Sequence, residues 1–227
     1  MPNAYSLDFA RLAAAYAEGT LTPATVVRDV YRAIEGDRAN PMWIHVRPQA
    51  EVEAQARALE AQRAAGARLP LYGVPFAVKD NIDVAGCPTT AACPAFSYMP
   101  KVTAHAVLRL QEAGALLIGK TNLDQFATGL VGTRSPYGAC FNSFDKTYIA
   151  GGSSSGSALA VATGAVSFAL GTDTAGSGRV PAAYNNIVGL KPTRGRVSTH
   201  GVVPACRSLD CVSVLRSPAK MRMRCSR

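Results

Sequence analysis

Residues with a capacity for chemistry gather in three short segments of this 227-residue chain. The segments span residues 72–80, 151–157 and 171–179, and they read YGVPFAVKD, GGSSSGS and GTDTAGSGR. In each, glycines or hydroxyl side chains lie beside an apolar run, where a sequence that only built a core would have no use for them. We therefore expect each segment to place polar groups at the end of a strand or the start of a helix.

Lys79 ends the apolar run 73–78 and is the candidate base of this set. A lone lysine is most often a solvated surface charge. A lysine held in a low-dielectric interior instead loses its preference for the charged form, and a neutral amine is a competent general base. Serine hydroxyls need such a base to become nucleophiles, and the three histidines show no spacing typical of a serine-histidine-carboxylate arrangement.

The Gly/Ser run 151–157 admits two other interpretations, a flexible linker or a phosphate-binding loop. The apolar run 158–162 follows at once, so the serines form the entry to a buried helix. The free N–H groups of a helix start can hold an anion or orient hydroxyls. Neither GxGxxG nor GxxxxGK followed by Ser or Thr is present, which disfavours phosphate binding.

Hydrophobic patterning predicts the elements that must position these residues. Residues 1–70 are expected to be helical, with one helix starting at Thr22-Pro23 and a second over 48–66. After residue 71, strands are expected at 73–78, 115–118 and 168–171. A helix over 103–114, capped by Thr103 and ended by Gly114, should connect the first two strands. This alternation predicts an α/β sheet with helices packed on it.

The three segments together resemble the amidase-signature family of amide hydrolases, and they occur in the family's order. Separations of 74 and 24 residues between Lys79, Ser153 and Ser177 are similar to those of the family's catalytic triad. The resemblance implies a mixed sheet covered by helices, with Lys79 as base, Ser153 as relay and Ser177 as nucleophile. It further implies a cis peptide bond before Ser153, and it implies neither a cofactor nor a metal ion.

The turn before Ser177 is expected to stabilise the oxyanion of a tetrahedral intermediate through backbone N–H groups. The candidate donors are Thr174, Ala175, Gly176 and Ser177. Asp173 and Arg179 flank this turn and are expected to brace it, while Ser154 is expected to make local hydrogen bonds.

Within the family, segments 89–94, 124–135 and 204–211 are most similar to allophanate hydrolases. That resemblance implies hydrolysis of the terminal amide of allophanate, a small-molecule substrate, with release of ammonia during urea degradation. An amidase like the A-type subunit of the glutamine amidotransferases is one alternative, and a non-catalytic fragment is the other.

The resemblance covers only the N-terminal half of a family catalytic domain. We divide the chain into a helical segment 1–70, a partial core 71–214 and a basic tail 215–227 that lacks acids and an apolar period. We expect the chain as written to be truncated, incomplete in fold and inactive, with an exposed sheet edge.

The formal net charge of +9 falls to +4 without five basic residues of this tail region, so the body is mildly basic. A nucleic-acid-binding protein that binds through that tail is the remaining alternative, although no basic stripe is interleaved with aromatic residues.

The apolar stretch 157–171 is short and interrupted, so no membrane span is expected. Six cysteines without metal-ligand spacing favour free thiols in the cytoplasm, and a homodimer of the full-length form is a further expectation.

Overall fold

The computed structural model describes residues 5–36 and 39–218, which form helices, strands and two short 3₁₀ turns. The helices are α1 Phe9–Ala17, α2 Pro23–Gly36, α3 Gln49–Ala64, α4 His105–Glu112, α5 Ser155–Ala162 and α6 Arg179–Tyr184. The strands are β1 Trp43–Val46, β2 Pro75–Lys79, β3 Leu116–Thr121, β4 Phe168–Thr172, β5 Val188–Leu190 and β6 Val212–Arg216. The 3₁₀ turns are Pro94–Phe96 and Gln125–Ala127.

Six strands form one mixed sheet in the order β1-β3-β2-β4-β6-β5. The three central strands, β3, β2 and β4, run parallel, whereas β1, β6 and β5 each run antiparallel to the neighbour they join. The mixed α/β sheet predicted from the sequence is confirmed. Because parallel strands end at the same edge of a sheet, the chain segments that follow β2, β3 and β4 come together there.

Alternating side chains of the central strands supply two hydrophobic layers, one on each face of the sheet. Ala77 of β2 belongs to a cluster built with α2 and α5, whereas its neighbours Phe76 and Val78 belong to a cluster that includes Val107 of α4. Lys79 has the same parity as Ala77, so its side chain lies on the α5 face. Helix α5 is buried almost throughout, as its apolar composition predicted.

Two of the predicted helix boundaries can be compared with observed hydrogen bonds. Thr22 caps α2 as predicted, because the Thr25 N–H donates to Thr22 Oγ1 at 3.2 Å. The cap predicted for Thr103 is wrong, since its hydroxyl accepts from the Ala85 N–H at 3.0 Å and α4 has Ala104 as an uncapped N-terminal residue. Gly114 has the left-handed φ of 94° expected after the end of a helix.

Strand β1 lies inside the segment that was predicted to be entirely helical. Its four half-buried residues show no two-residue alternation of burial, and pairing with β3 stabilises the extended backbone. Strand β6 crosses the expected boundary at residue 214, because Leu215 is fully buried and pairs with Ala169. Residues 219–227 of the expected basic tail lie outside the described residues.

No helix among the described residues is long and apolar enough to cross a membrane. Within the same part of the chain, no group of three or more His, Cys, Asp or Glu side chains is arranged to hold a metal ion. The five described cysteines are free thiols.

Candidate active site

The amine of Lys79 lies at the carboxyl end of β2, in the interior of the protein. The residue is fully buried, and Nζ donates hydrogen bonds to Ser153 Oγ at 2.7 Å and Thr172 Oγ1 at 2.8 Å. Burial lowers the pKa of Lys79 to about 7, although Asp124, Asp173 and Asp210 act in the opposite direction. A large fraction of this amine is therefore neutral near neutral pH, as a general base requires.

Ser153 lies two residues before the first residue of α5 and is also fully buried. The Gly152–Ser153 peptide bond is cis, as the family resemblance implied. The carbonyl of Ser153 accepts a hydrogen bond from the Asp124 N–H at 3.1 Å. The close approach leaves no room for a side chain at Gly152, where a Cβ atom would lie 2.2 Å from Asp124 Oδ2.

Ser177 lies in the turn between β4 and α6 and is 4% exposed. Its carbonyl accepts from the Ser154 N–H at 3.0 Å, and Ser154 Oγ donates to the Thr172 carbonyl at 3.2 Å. Ser154 thus makes local hydrogen bonds that join the two serine segments. No hydrogen bond links the hydroxyls of Ser153 and Ser177 in the described part of the chain.

Asp173 holds the turn that carries Ser177. Its carboxylate accepts from Arg179 Nε at 2.9 Å and from the backbone N–H groups of Gly176, Gly178 and Arg179 at 2.8, 3.1 and 3.1 Å. Burial alone would raise the pKa of Asp173, but the hydrogen bonds from Arg179 and these backbone groups outweigh it and lower the pKa. These contacts hold the backbone of the turn in place, as was expected for Asp173 and Arg179.

The backbone N–H groups of this turn divide into two sets. Gly176 donates to Asp173, so its N–H is not free, contrary to the expectation for an oxyanion donor. Within residues 5–36 and 39–218, the N–H groups of Thr174, Ala175 and Ser177 make no hydrogen bond to the protein. These three N–H groups, at Ser177 and within three residues before it, are therefore the remaining candidates for an oxyanion site.

Comparison with known proteins shows the family to which the chain belongs. A protein-family model described as Amidase matches residues 25–220. The chain belongs to the amidase family. It is similar to the urea amidolyase of Lachancea kluyveri, with 59% identity over 186 residues, which are 82% of this chain and 10% of that protein. The chain is also similar to the A-type subunit of the glutamyl-tRNA(Gln) amidotransferase of Pelodictyon phaeoclathratiforme, with 45% identity over 197 residues, 86% of this chain and 41% of that protein.

Among solved structures, the selenomethionine-substituted allophanate hydrolase of Kluyveromyces lactis is 50% identical to this chain. The TM-score is 0.83, and the similarity covers 94% of this chain and 34% of that one. This amidase-family chain therefore spans about a tenth of the urea amidolyase and a third of the solved allophanate hydrolase.

Two further polar residues near Lys79, Thr172 and Asn81, were not predicted from the sequence as part of the site. Thr172 Oγ1 accepts from both Lys79 and Asn81, whose Nδ2 lies 3.3 Å away. Asn81 follows β2 and Thr172 ends β4, so both occupy the sheet edge where the parallel strands end. The signal that could have found them was their position near the end of a buried run, Asn81 two residues after Lys79 and Thr172 as the last residue of β4.

Two further carboxylates of this amidase-family chain organise loops around the site. Asp124 accepts the N–H groups of Val131, Gly132 and Arg134 at 3.1, 3.0 and 2.9 Å. Asp210 accepts from the Thr174 hydroxyl and from the N–H groups of the two residues 205 and 206. Neither carboxylate was expected to contribute to the site, because their partners lie in irregular segments.

A buried ion pair joins Asp80 to Lys120 at 3.0 Å, with both side chains fully buried. Asp80 also accepts from the Thr90 N–H at 3.0 Å, while Lys120 donates to Thr89 Oγ1 at 3.0 Å and to the Pro88 carbonyl at 3.2 Å. The pair thereby ties the segment 88–90 to the ends of β2 and β3.

Proposed function

We propose that this chain carries the amide-hydrolysing site of an allophanate hydrolase, with Lys79, Ser153 and Ser177 as its catalytic triad. The observation that carries the proposal is the fully buried Lys79 amine, hydrogen-bonded to Ser153 at 2.7 Å. Desolvation favours the neutral amine, and the neutral amine has a lone pair with which to accept a proton.

In the proposed mechanism, Lys79 takes the proton of Ser153 while Ser153 takes the proton of Ser177. The Ser177 oxygen then bonds to the amide carbonyl carbon, and negative charge develops on the carbonyl oxygen. The open N–H groups of Thr174, Ala175 and Ser177 support an oxyanion site for that charge. Asp173 and Arg179 keep the turn in place without reacting.

The same proton path returns a proton to the leaving nitrogen, the C–N bond breaks, and ammonia departs. Water then attacks the ester on Ser177, its proton passing back toward Lys79, and the carboxylate product leaves with the serine restored. No step requires a cofactor or a metal ion. The small-molecule amide is the proposed partner of the site.

The identities favour allophanate over the amides of a glutamine-dependent amidotransferase. The chain is 59% identical to a urea amidolyase and 45% identical to the matched portion of a glutamyl-tRNA(Gln) amidotransferase, over stretches of similar length. An activity like that of the glutamine amidotransferases is the second candidate. The free cysteines support a reducing, cytoplasmic compartment, and a homodimer of the longer form stays a prediction.

A serine-directed fluorophosphonate tests the assignment of the nucleophile in a longer form, in which these residues are extended to the length of the K. lactis relative. We expect mass spectrometry to find the label on the peptide that contains Ser177, and we expect Ser177→Ala to remove it. The exposed Ser198 provides a matched control, since Ser198→Ala should leave labelling unchanged. Label on Ser153 or Ser154 with Ser177 unmodified would overturn the assignment.

Ammonia release tests the identity of the substrate. It is measured for the 227-residue chain and for a longer form, in which these residues are extended to the length of the K. lactis relative. Allophanate is expected to be hydrolysed faster than glutamine. Faster release from glutamine would favour the second candidate, and labelling of Ser177 without release from either amide would contradict both substrates. This comparison also tests the expectation that the chain as written is inactive.

A further inference from the structure

The second hydrogen bond of Lys79, to Thr172, has a consequence for the direction of proton transfer. A neutral lysine amine carries two hydrogens and one lone pair, whereas a threonine hydroxyl can either donate or accept. If the Thr172 hydroxyl donated to Lys79, it would occupy the lone pair that the Ser153 proton needs. The site therefore works best when Thr172 only accepts from Lys79.

Asn81 is placed to impose that polarity. Its Nδ2 lies 3.3 Å from Thr172 Oγ1 and 3.2 Å from the carbonyl oxygen of Val203, and the residue is 1% exposed. A carbonyl oxygen can only accept, so the amide nitrogen must be the atom that faces Val203. The side-chain oxygen of Asn81 has no hydrogen-bond partner among the described residues, so no competing contact favours the flipped amide.

With the amide held in this way, both hydrogens of Asn81 Nδ2 are used as donors. One goes to Val203 and the other to Thr172, whose oxygen also accepts from Lys79 at 2.8 Å. Both lone pairs of the Thr172 hydroxyl are then occupied, and its own hydrogen points away from the two nitrogens. Charged Lys79 donates to both hydroxyls, whereas neutral Lys79 gives a hydrogen to Thr172 and keeps its lone pair for Ser153, whose hydroxyl then donates across the 2.7 Å contact.

We infer that Asn81 is a positioning residue that, through the Thr172 hydroxyl, directs the lone pair of neutral Lys79 toward Ser153. This inference rests on the proposed function, because it assigns a task within the same proton path. Asn81 is held by the chain itself: its backbone carbonyl accepts from the Val203 N–H at 2.8 Å, so residue 203 fixes both ends of the asparagine.

The test is the rate at which the fluorophosphonate labels Ser177, measured well above pH 7 so that Lys79 is neutral. Asn81→Ala frees the Thr172 hydroxyl to donate to Lys79, and we expect labelling to slow about tenfold, the size of one net hydrogen bond. With an amide substrate, the loss should fall on kcat, while KM changes by less than about twofold.

A double-mutant cycle separates this role from a structural one. Thr172→Val removes the hydroxyl that Asn81 is inferred to orient, so adding Asn81→Ala to Thr172→Val should cause no further slowing. Thr172→Ser retains a hydroxyl and should restore sensitivity to Asn81→Ala. Asn40→Ala is the matched control, because Asn40 is a buried asparagine that hydrogen-bonds the backbone of Phe141. It should lower the free energy of unfolding without slowing the labelling.

The outcomes distinguish the two proposals. Absence of label on Ser177 in the unaltered longer form, in which these residues are extended to the length of the K. lactis relative, would overturn the proposed function. Normal labelling by the unaltered protein, combined with an additive cycle or an unchanged rate in Asn81→Ala, would overturn the inference alone. An Asn81→Ala variant that slows only as much as it unfolds, measured by circular dichroism at the same pH, would also overturn it.

Discussion

At the scale of single residues, the site depends on what burial does to one amine. Lys79 is surrounded by hydroxyls rather than by a directly paired carboxylate, so desolvation dominates and the pKa falls to about 7. Asp80, the next residue, pairs with Lys120 instead of with Lys79. Lys79 and Lys120 are both fully buried, but of these two only Lys120 is paired directly with a carboxylate, so Lys79 is the better candidate for a base.

The pH dependence of hydrolysis follows from this pKa. The proposed base, Lys79, can accept a proton only when neutral, so kcat should be low below pH 7, rise through an apparent pKa of about 7 and level off above it. Lys79→Ala should nearly abolish turnover near pH 7 and lose less at alkaline pH, where hydroxide partly replaces the base. The measurement is ammonia release from about pH 5.5 to about pH 10, a range that includes that pKa.

The exposed Lys101 supplies a control, because Lys101→Ala should reproduce the unaltered profile. A profile that is flat across neutral pH, or full activity in Lys79→Ala, would return Lys79 to the class of lysines without a catalytic role.

At the scale of elements, the carboxyl ends of β2 and β4 and the start of α5 converge on one small volume. The approach requires glycine at position 152, where an added Cβ atom would lie 2.2 Å from Asp124 Oδ2 and 2.7 Å from the Gly132 nitrogen. Neither neighbour can move freely, because Asp124 also accepts three backbone hydrogen bonds.

We expect Gly152→Ala to lower the free energy of unfolding by about 1 to 3 kcal/mol, as overpacking does, and to reduce Ser177 labelling more than tenfold by displacing Ser153. Denaturant unfolding and the labelling rate measure the two effects. Gly86 has open space around it and a left-handed φ of 80°, so Gly86→Ala should cost only about 1 to 2 kcal/mol of backbone preference and leave labelling intact. Equal labelling rates in the two variants would contradict the steric argument.

The buried ion pair between the ends of β2 and β3 allows a second test at this scale. Lys120→Met leaves the Asp80 carboxylate buried without its cation, and we expect a loss of about 3 to 5 kcal/mol in the free energy of unfolding. Asp80→Asn combined with Lys120→Met removes both charges and should recover most of that loss. Urea unfolding at about pH 7.5 measures the free energy of unfolding of the single and the double variant. A double variant no more stable than Lys120→Met would argue against a charge-pair explanation.

At the scale of the whole molecule, the sheet ends at a strand with exposed apolar side chains. Strand β5 lies at the end of the strand order, and no described strand pairs with its outer side. Val188 is 41% exposed and Leu190 is 58% exposed. Unpaired edges with exposed apolar residues template pairing between chains.

We therefore expect the 227-residue chain to self-associate as its concentration rises, and Leu190→Lys to reduce that association, because an edge lysine disfavours strand pairing. Multi-angle light scattering over a concentration series measures the change. Leu108→Lys is the matched control, since Leu108 is 42% exposed but lies on α4. A concentration-independent mass for the unaltered chain, or equal effects of the two lysines, would contradict a role for the β5 edge.

Local features of this protein follow from patterns of neighbouring residues in its amino-acid sequence. Hydrophobic periodicity located the central strands, and the Thr22-Pro23 pair located the start of α2, because these signals depend on neighbouring residues. The motif order and spacing also carried the amidase resemblance, which the family match confirmed. The roles of Lys79, Ser153 and Ser177 stay predictions.

Which side chains contact one another depends on how distant segments of the chain pack together. Asn81 and Thr172 are 91 residues apart, and their contact depends on the parallel pairing of β2 with β4. The same holds for β1, whose sequence has no clear strand pattern but which forms a strand by pairing with β3. It also holds for Leu215, which is buried where β6 pairs with β4. The pKa of Lys79 likewise follows from the burial that the folded chain creates. Sheet register and desolvation depend on distant segments, and no local pattern contains them.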